Sequence, residues 1–401
     1  MATDIIVDAP LAWPNSTTLI FTANRYLIVN RAIEVRSGSI EINAGNDYFF
    51  GEAGHIEFKR GGSSGITINK KQYLMVNSIR ELKRALGHSS GSGQFFALRK
   101  SIVTKNIQYG LPILPGESFQ GTLEGLGNSI SNLETIDRMG FFYSIDGEVR
   151  DLRLKNVQMS GFEGGGLASE NGGTIENCTV SGTINGTQIG GVTGGLIGFN
   201  TGLIVNSSSS ATITGSQSGD VLGGLVGINE TEFGSGARIE QSYATGAVMD
   251  PKTATVGGLV GQNLGGMVSN SYATGSVSGG STAEVGGLFG ENAYYNRIQP
   301  AVSNIFATGQ AIGDSGAIIG GLYGSDLAQI NTSQSYWDLD TSGISDPSQG
   351  AGNIANDPGI TGLSDAQLKS GLPSGFDPSI WKQNAKLNNG YPYLIANPPQ
   401  K

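Results

Sequence analysis

GGLASEN (165–171), GGLIGFN (194–200), GGLVGIN (223–229), GGLVGQN (257–263), GGLFGEN (286–292) and GGLYGSD (320–326) are six copies of one phrase. Their leucines, Leu167, Leu196, Leu225, Leu259, Leu288 and Leu322, are spaced 29, 29, 34, 29 and 34 residues apart. A near-constant period of this size marks a stacked repeat, in which each unit buries its apolar face against the next.

A second phrase alternates with the first. It reads IENCTVSGTI at 175–184, IEQSYATGAV at 239–248, VSNSYATGSV at 268–277 and VSNIFATGQA at 302–311. From its Asn or Gln to the next leucine the chain takes 19 residues twice (Asn177, Asn206), then 18 three times (Gln241, Asn270, Asn304). Alternation such as Val268, Asn270, Tyr272 reads as a period-two strand. No helix-length apolar stripe occurs between 149 and 343. Short strands joined by Gly turns, at one unit per coil, predict an all-β fold, a parallel β-solenoid, with coils about 4.8 Å apart. In register, the leucines form an internal aliphatic ladder. The column Asn171, Asn200, Asn229, Asn263, Asn292 and Asp326 forms an amide ladder at a corner.

Composition agrees. Glycine supplies 64 of 401 residues without a G-X-Y period, and charged residues are only 14 %. The net charge of −9, with no basic cluster, argues against nucleic acid and against anionic membrane. No apolar run of about 18 residues exists to span a bilayer. The start, MATDIIVDAP, has neither the basic nor the apolar region of an export signal, so such a signal is expected outside this sequence. The lone cysteine, Cys178, fills a slot held elsewhere by Ser207, Ser242 and Ser271, so it reads as a small buried residue. Two histidines, His55 and His88, leave little for a His-rich metal site or a Ser-His-Asp triad.

Outside the six copies the units change. DIIVDAPL at 4–11 matches YLIVNRAI at 26–33, and LIFTA at 19–23 echoes IEINA at 40–44, so residues 1–58 form shorter coils. Residues 59–72 read as a polar, basic link within a lead-in segment, 59–148. A short helix is expected where Ser78 caps, Ile79, Leu82 and Leu86 share a face, and Gly87 stops. The main repeat spans 149–343. Residues 344–401 lose the period and contain a second short helix capped by Ser364; this tail is expected to cover the exposed strand edges of the solenoid.

GGLVGQN followed by NSYATGSV resembles the GLUG motif. DIIVDAPLAW, LIVNRAIEV and IEINAG resemble the coils of filamentous-haemagglutinin-type exoproteins. FQGTLEGLGNSISNL (119–133), QSYWDLDTSG (334–343) and NNGYPYL (388–394) resemble the entry and exit segments of GLUG regions in such proteins. The resemblance implies a right-handed β-helix, cut from a very large secreted or surface-attached bacterial adhesin exported by two-partner secretion. It carries over no catalytic residue. The chain departs from the pattern at Glu170 and Glu291, in the slot before the column Asn, and at Gly-Phe-Phe-Tyr, 140–143.

Two coils are long. Leu225 to Gln241 and Leu288 to Asn304 each take 16 residues, against 10 to 12 in most coils. The extra residues, at 230–238 and 293–301, leave the solenoid at the same corner, about 10 Å apart, with one short coil between them. The reading is two walls and a floor. Glu230, Glu232, Phe233 and Arg238 stand on one side; Glu291, Tyr294, Tyr295 and Arg297 stand on the other. Aromatic rings beside carboxylates suit sugars, and paired carboxylates are what glycoside hydrolysis requires. Arg297 with Tyr294 and Tyr295 offers the base and cation that a lyase needs. Solvated loops explain the same residues without a ligand. Asp338 and Asp340 read as one strand face. Asp146, Glu148 and Asp151 do not follow an EF-hand loop, and Arg150 and Arg153 beside them read as ion-pair partners. The reading therefore includes no metal and no cofactor. The expected partner is a carbohydrate or a cell-surface ligand.

Overall fold

The structure, a computed structural model, describes residues 3–59, 64–86, 90–104, 112–137, 139–231, 236–329 and 331–399. Near its start, parallel strands stack on three faces. Ile5–Val7, Tyr26–Val29 and Asp47–Phe50 form the first, Leu11–Trp13, Ile33–Val35 and Ile56–Phe58 the second, and Thr18–Ala23, Ser39–Ala44 and Ile66–Ile68 the third. Alternate residues (Leu27, Val29, Ile33, Val35, Ile40, Ile42) point inward and are buried.

The third coil runs on past Phe58 to Ile66–Ile68, and the chain then reverses. Ile66–Ile68 pairs antiparallel with Lys71–Val76 across Asn69 and Lys70, both at positive φ (46° and 69°). That is a two-residue hairpin, not a polar link. An Asn-Lys turn lacks the Asn-Gly signature that announces such hairpins. Beyond it, strands are parallel again. Ala97 packs in the first core, whereas its neighbours Phe96 and Leu98 pack in the main core. The two cores therefore lie on opposite faces of one continuous sheet. Strand direction and inner face reverse together, so both solenoids wind with the same hand.

The long face of the main solenoid stacks Leu123, Val149, Ile175, Ile204, Ile239, Val268 and Val302 in register. All six phrase leucines are at most 1 % exposed. The Asn/Gln column turns a corner: Asp151, Asn177, Asn206, Gln241, Asn270 and Asn304 have φ between 47° and 55°. Asn and Asp tolerate this left-handed geometry better than other side chains. Val268, Asn270 and Tyr272 are consequently not one strand. Met267–Ser269 ends before the corner and Tyr272–Ala273 begins after it. Val268 faces the core, while Tyr272 faces out, stacked between Tyr243 and Phe306 at 4.9 Å on each side.

Both short helices form. Glu81 N donates to Ser78 Oγ (3.2 Å), and Ile79, Leu82 and Leu86 are buried in the main core. Gly87, the expected stop, and His88 lie outside the described residues. Ser364 caps Asp365–Lys369 with a full capping box. Ile360–Leu363 adds a strand to Thr332–Asp338. The tail then doubles back along the flank. Trp381, Phe376 and Tyr391 cover the outward aromatic column, Trp381 Nε1 donates to Asn270 Oδ1 (3.1 Å), and Asn397 Nδ2 reaches Ser207 O (3.1 Å).

Candidate functional site

The GGLxG phrase makes a bend too tight for side chains. A Cβ on Gly194 would lie 1.9 Å from Ile197 O, and one on Gly227 would lie 2.6 Å from Val192 Cγ1. Through this bend a short face (Val192–Gly194, Asp220–Gly223, Ala254–Gly257, Glu284–Gly286, Ile318–Gly320) folds against the face carrying the Asn column. That second face runs from Ser118–Phe119 through Phe142–Ile145 and Ala168–Asn171 to Tyr323–Asp326. Outward-facing residues of the two meet along a seam. Val192, Val221 and Ile228 are buried there, with Phe199 and Leu264 packed against them.

Strand register fixes which residues share each rung. One wall reads Glu170, Phe199, Ile228, Gln262, Glu291, Ser325. The other reads Glu163, Val192, Val221, Thr255, Glu284, Ile318, with Glu163 placed by the Gly164–Thr193 bridge. Carboxyl groups face each other at two rungs. Burial, then the charge of Glu170, raises Glu163; burial, then Glu291, raises Glu284 to about 7.

At the first rung the seam opens into a cleft of about 460 Å³, lined by Pro115, Tyr143, Phe162, Glu163, Glu170 and Phe199 among others. Tyr143 and Phe162 keep 37 % and 39 % of their surface exposed, so ring faces are available to a ligand. The Glu170 charge holds the Tyr143 phenol above its ordinary range.

Of the residues expected from the sequence, Glu291 lies in the seam, and the other described ones lie at the corner beyond it. Glu232 and Phe233 lie outside the described residues. Glu230 ends the strand Val226–Glu230 and bridges Gly265. Arg238 is hydrogen-bonded to Glu240. Tyr295 and Ile298 close a hairpin around Asn296 and Arg297, both at positive φ (48° and 67°). Ile298 O lies 3.2 Å from where a Gly265 Cβ would be, so this loop rests on the short coil that was expected as an open floor. Tyr294 is exposed. Glu291 is a strand residue; it accepts from Gln262 Nε2 (3.3 Å), and the carboxyl group it meets is Glu284. Asp338 ends its strand and accepts from the backbone of Asp340 and Thr341 and from Tyr391 Oη, so Asp338 and Asp340 do not share a strand face.

Sequence reasoning passed over Tyr143, Phe162, Glu163 and Glu284 as a site. Signals were present. Tyr143, Glu170 and Glu291 are departures from the repeat pattern, and each strand glutamate has a second glutamate seven residues before it.

Burial pushes several acids to about 7: Glu176, Asp250, Glu284 and Asp357. Their unfolded values lie near 4, so between about pH 4 and 7 the folded chain binds more protons than the unfolded one. Stability therefore rises as pH falls through that window. Acids held low, such as Asp346 and Asp377, work against this only below about pH 4. Calorimetry is expected to show a higher thermal transition near pH 5.5 than near pH 8, and the reverse order would contradict the burial of these groups.

The GLUG motif matches residues 160–185 and 253–278. Over 85 residues the chain is 40 % identical to halomucin of Haloquadratum walsbyi, a stretch covering 19 % of this chain and 1 % of that protein. A crystal structure from Bacteroides ovatus, provisionally assigned as an immunoglobulin A1 protease, superposes with a TM-score of 0.53 at 20 % identity; the match covers 81 % of this chain and 93 % of that one. A further structure, IgA1 Protease, gives 0.47 at 19 % identity over 69 % of this chain and 23 % of that one. The chain thus carries two GLUG motifs on an all-β fold shared with the Bacteroides structure.

Proposed function

We propose that this chain belongs to a secreted or surface-exposed bacterial adhesin that binds carbohydrate along the seam. In this reading it is a right-handed passenger of the filamentous-haemagglutinin type, exported by two-partner secretion. The GLUG motifs and the halomucin likeness support the secreted or surface-exposed part of this reading. The observation that carries the binding reading is the cleft at the first rung. Tyr143 and Phe162 offer flat apolar faces beside Glu163 and Glu170, which accept hydrogen bonds from sugar hydroxyls. Tyr294 and Arg297, on the exposed corner loop, and Arg238 give a second contact area.

Replacing Tyr143 by Ala is expected to weaken polysaccharide binding about tenfold, since one lost stacking face of about 1.4 kcal/mol is a factor of ten. Its thermal transition stays close to that of the parent because the ring is partly exposed. Unchanged affinity would remove the cleft.

One observation favours a second reading, that of a polysaccharide hydrolase or lyase. Glu163 is a raised carboxyl group beside a second acid in a cleft, the pattern of a general acid. New reducing ends, or ultraviolet absorbance from unsaturated uronic products, would establish turnover. The adhesin reading expects neither.

A further inference from the structure

We propose that the seam is a binding track for an extended glycan bearing protonated amines, which lies along the rungs and places amino groups at both glutamate pairs. This rests on the carbohydrate reading above and adds the ligand's charge and length.

Register supplies the geometry. Glu163 shares a column with Glu284, and Glu170 shares one with Glu291. The two pairs therefore occupy equivalent positions four rungs apart, about 19 Å at the ordinary strand spacing. Between them the seam is closed for two rungs, where Val192, Val221 and Ile228 pack together beside Phe199, and neutral polar at the third (Thr255 and Gln262), so the ligand crosses over these rungs from one pair to the other. The track thus carries negative charge at both ends and none in the middle.

Among the described residues, none of the four glutamates takes part in an ion pair. Two facing carboxyl groups without a cation repel unless one keeps a proton, as the upward shifts of Glu163 and Glu284 record, and each pair gains when a cation settles between them. An ammonium group supplies three donors to acids that only accept. A neutral sugar leaves the repulsion in place, and an acidic polysaccharide adds to it. The chain's net charge of −9 likewise favours a cationic ligand. A lysine-rich extended peptide offers the same charge. The exposed rings of Tyr143 and Phe162 at the first pair favour sugar instead.

The test is calorimetric titration of the full chain with glucosamine oligomers of increasing length, with their N-acetylated counterparts and with poly-lysine. Free-amine oligomers are expected to bind at least tenfold tighter than acetylated ones, with affinity rising until the chain spans both pairs. The double variant Glu284→Gln, Glu291→Gln is expected to abolish the gain in affinity with length, so that long oligomers bind no tighter than short ones. Since both substitutions are near-isosteric and remove a like-charge contact, the fold should persist. Acetylated oligomers binding equally well would overturn the amine inference and leave the carbohydrate reading standing. Binding of poly-lysine with no binding of any sugar would overturn both.

Discussion

Replacing Arg150 by Met is expected to cost about 3–5 kcal/mol, the usual penalty for stranding buried charges. Arg150 lies where the N-terminal coils dock on the main solenoid. Its guanidinium is 2.8 Å from Asp47, 3.3 Å from Asp151 and 3.6 Å from each of Glu124, Glu148 and Glu176. It also lies 4.3 Å from the centre of the Tyr48 ring. Glu124 is fully buried and accepts from Tyr48 Oη (2.6 Å) and Leu126 N (2.7 Å). Burial drives Glu124 upward and Asp151 to about 6, and the arginine charge opposes both shifts. The neighbouring cation, Arg153, is engaged with the carbonyls of Phe50, Gly51, Glu52 and Gly54. With Met at 150, five acids crowd one interface. Urea unfolding should show the loss near neutral pH. Part of it should return at about pH 5, where protonation relieves the acids. A loss below about 1 kcal/mol would mean that the ion cluster does not hold the interface.

Replacing Asn229 by Ala should be nearly as costly, about 2–4 kcal/mol, from orphaned amides plus a void. The column is a directional chain of amides. Asn171 donates to Asn200 (2.7 Å), Asn200 to Asn229 (2.8 Å), Asn229 to Asn263 (2.8 Å), Asn263 to Asn292 (2.9 Å) and Asn292 to Asp326 (3.1 Å). Each interior member must both donate and accept, and Asn229 is fully buried. The last member only accepts: Asp326 Oδ1 takes Asn292 Nδ2 and the backbone N–H groups of Ala328 and Gln329. This explains why the final copy ends in Asp. Asn229→Asp should therefore be at least as damaging as Ala, because it sets an acceptor against Asn263 Oδ1. Asp326→Asn should be mild. Equal effects at the two positions in chemical denaturation would refute the directional ladder.

The sequence made the columns legible because each coil repeats the same steric demand. Leucines, corner amides and bend glycines must recur wherever the backbone recurs. The spacing of 29 and 34 between leucines reappears as the strand register from Ile197 to Phe289. Features made once per chain were not legible. Leu126 looks like any core leucine, yet its left-handed backbone (φ 53°) turns it into the first core. Arg150 meets Asp47 across 103 residues of sequence, and no local pattern records that contact. The seam lay between these limits. Glu170 and Glu291 were visible as departures, but Glu163 and Glu284 were not, and pairing them required knowing that the bend brings position 163 opposite 170, and 284 opposite 291.

Hydrogen–deuterium exchange with and without a saturating bound polysaccharide reads ligand contact strand by strand. Binding along the seam predicts added protection at 142–145 and 168–171, extending with longer ligands to 289–293. Protection confined to the long face, or to the corner loops at 236–238 and 293–301, would contradict it.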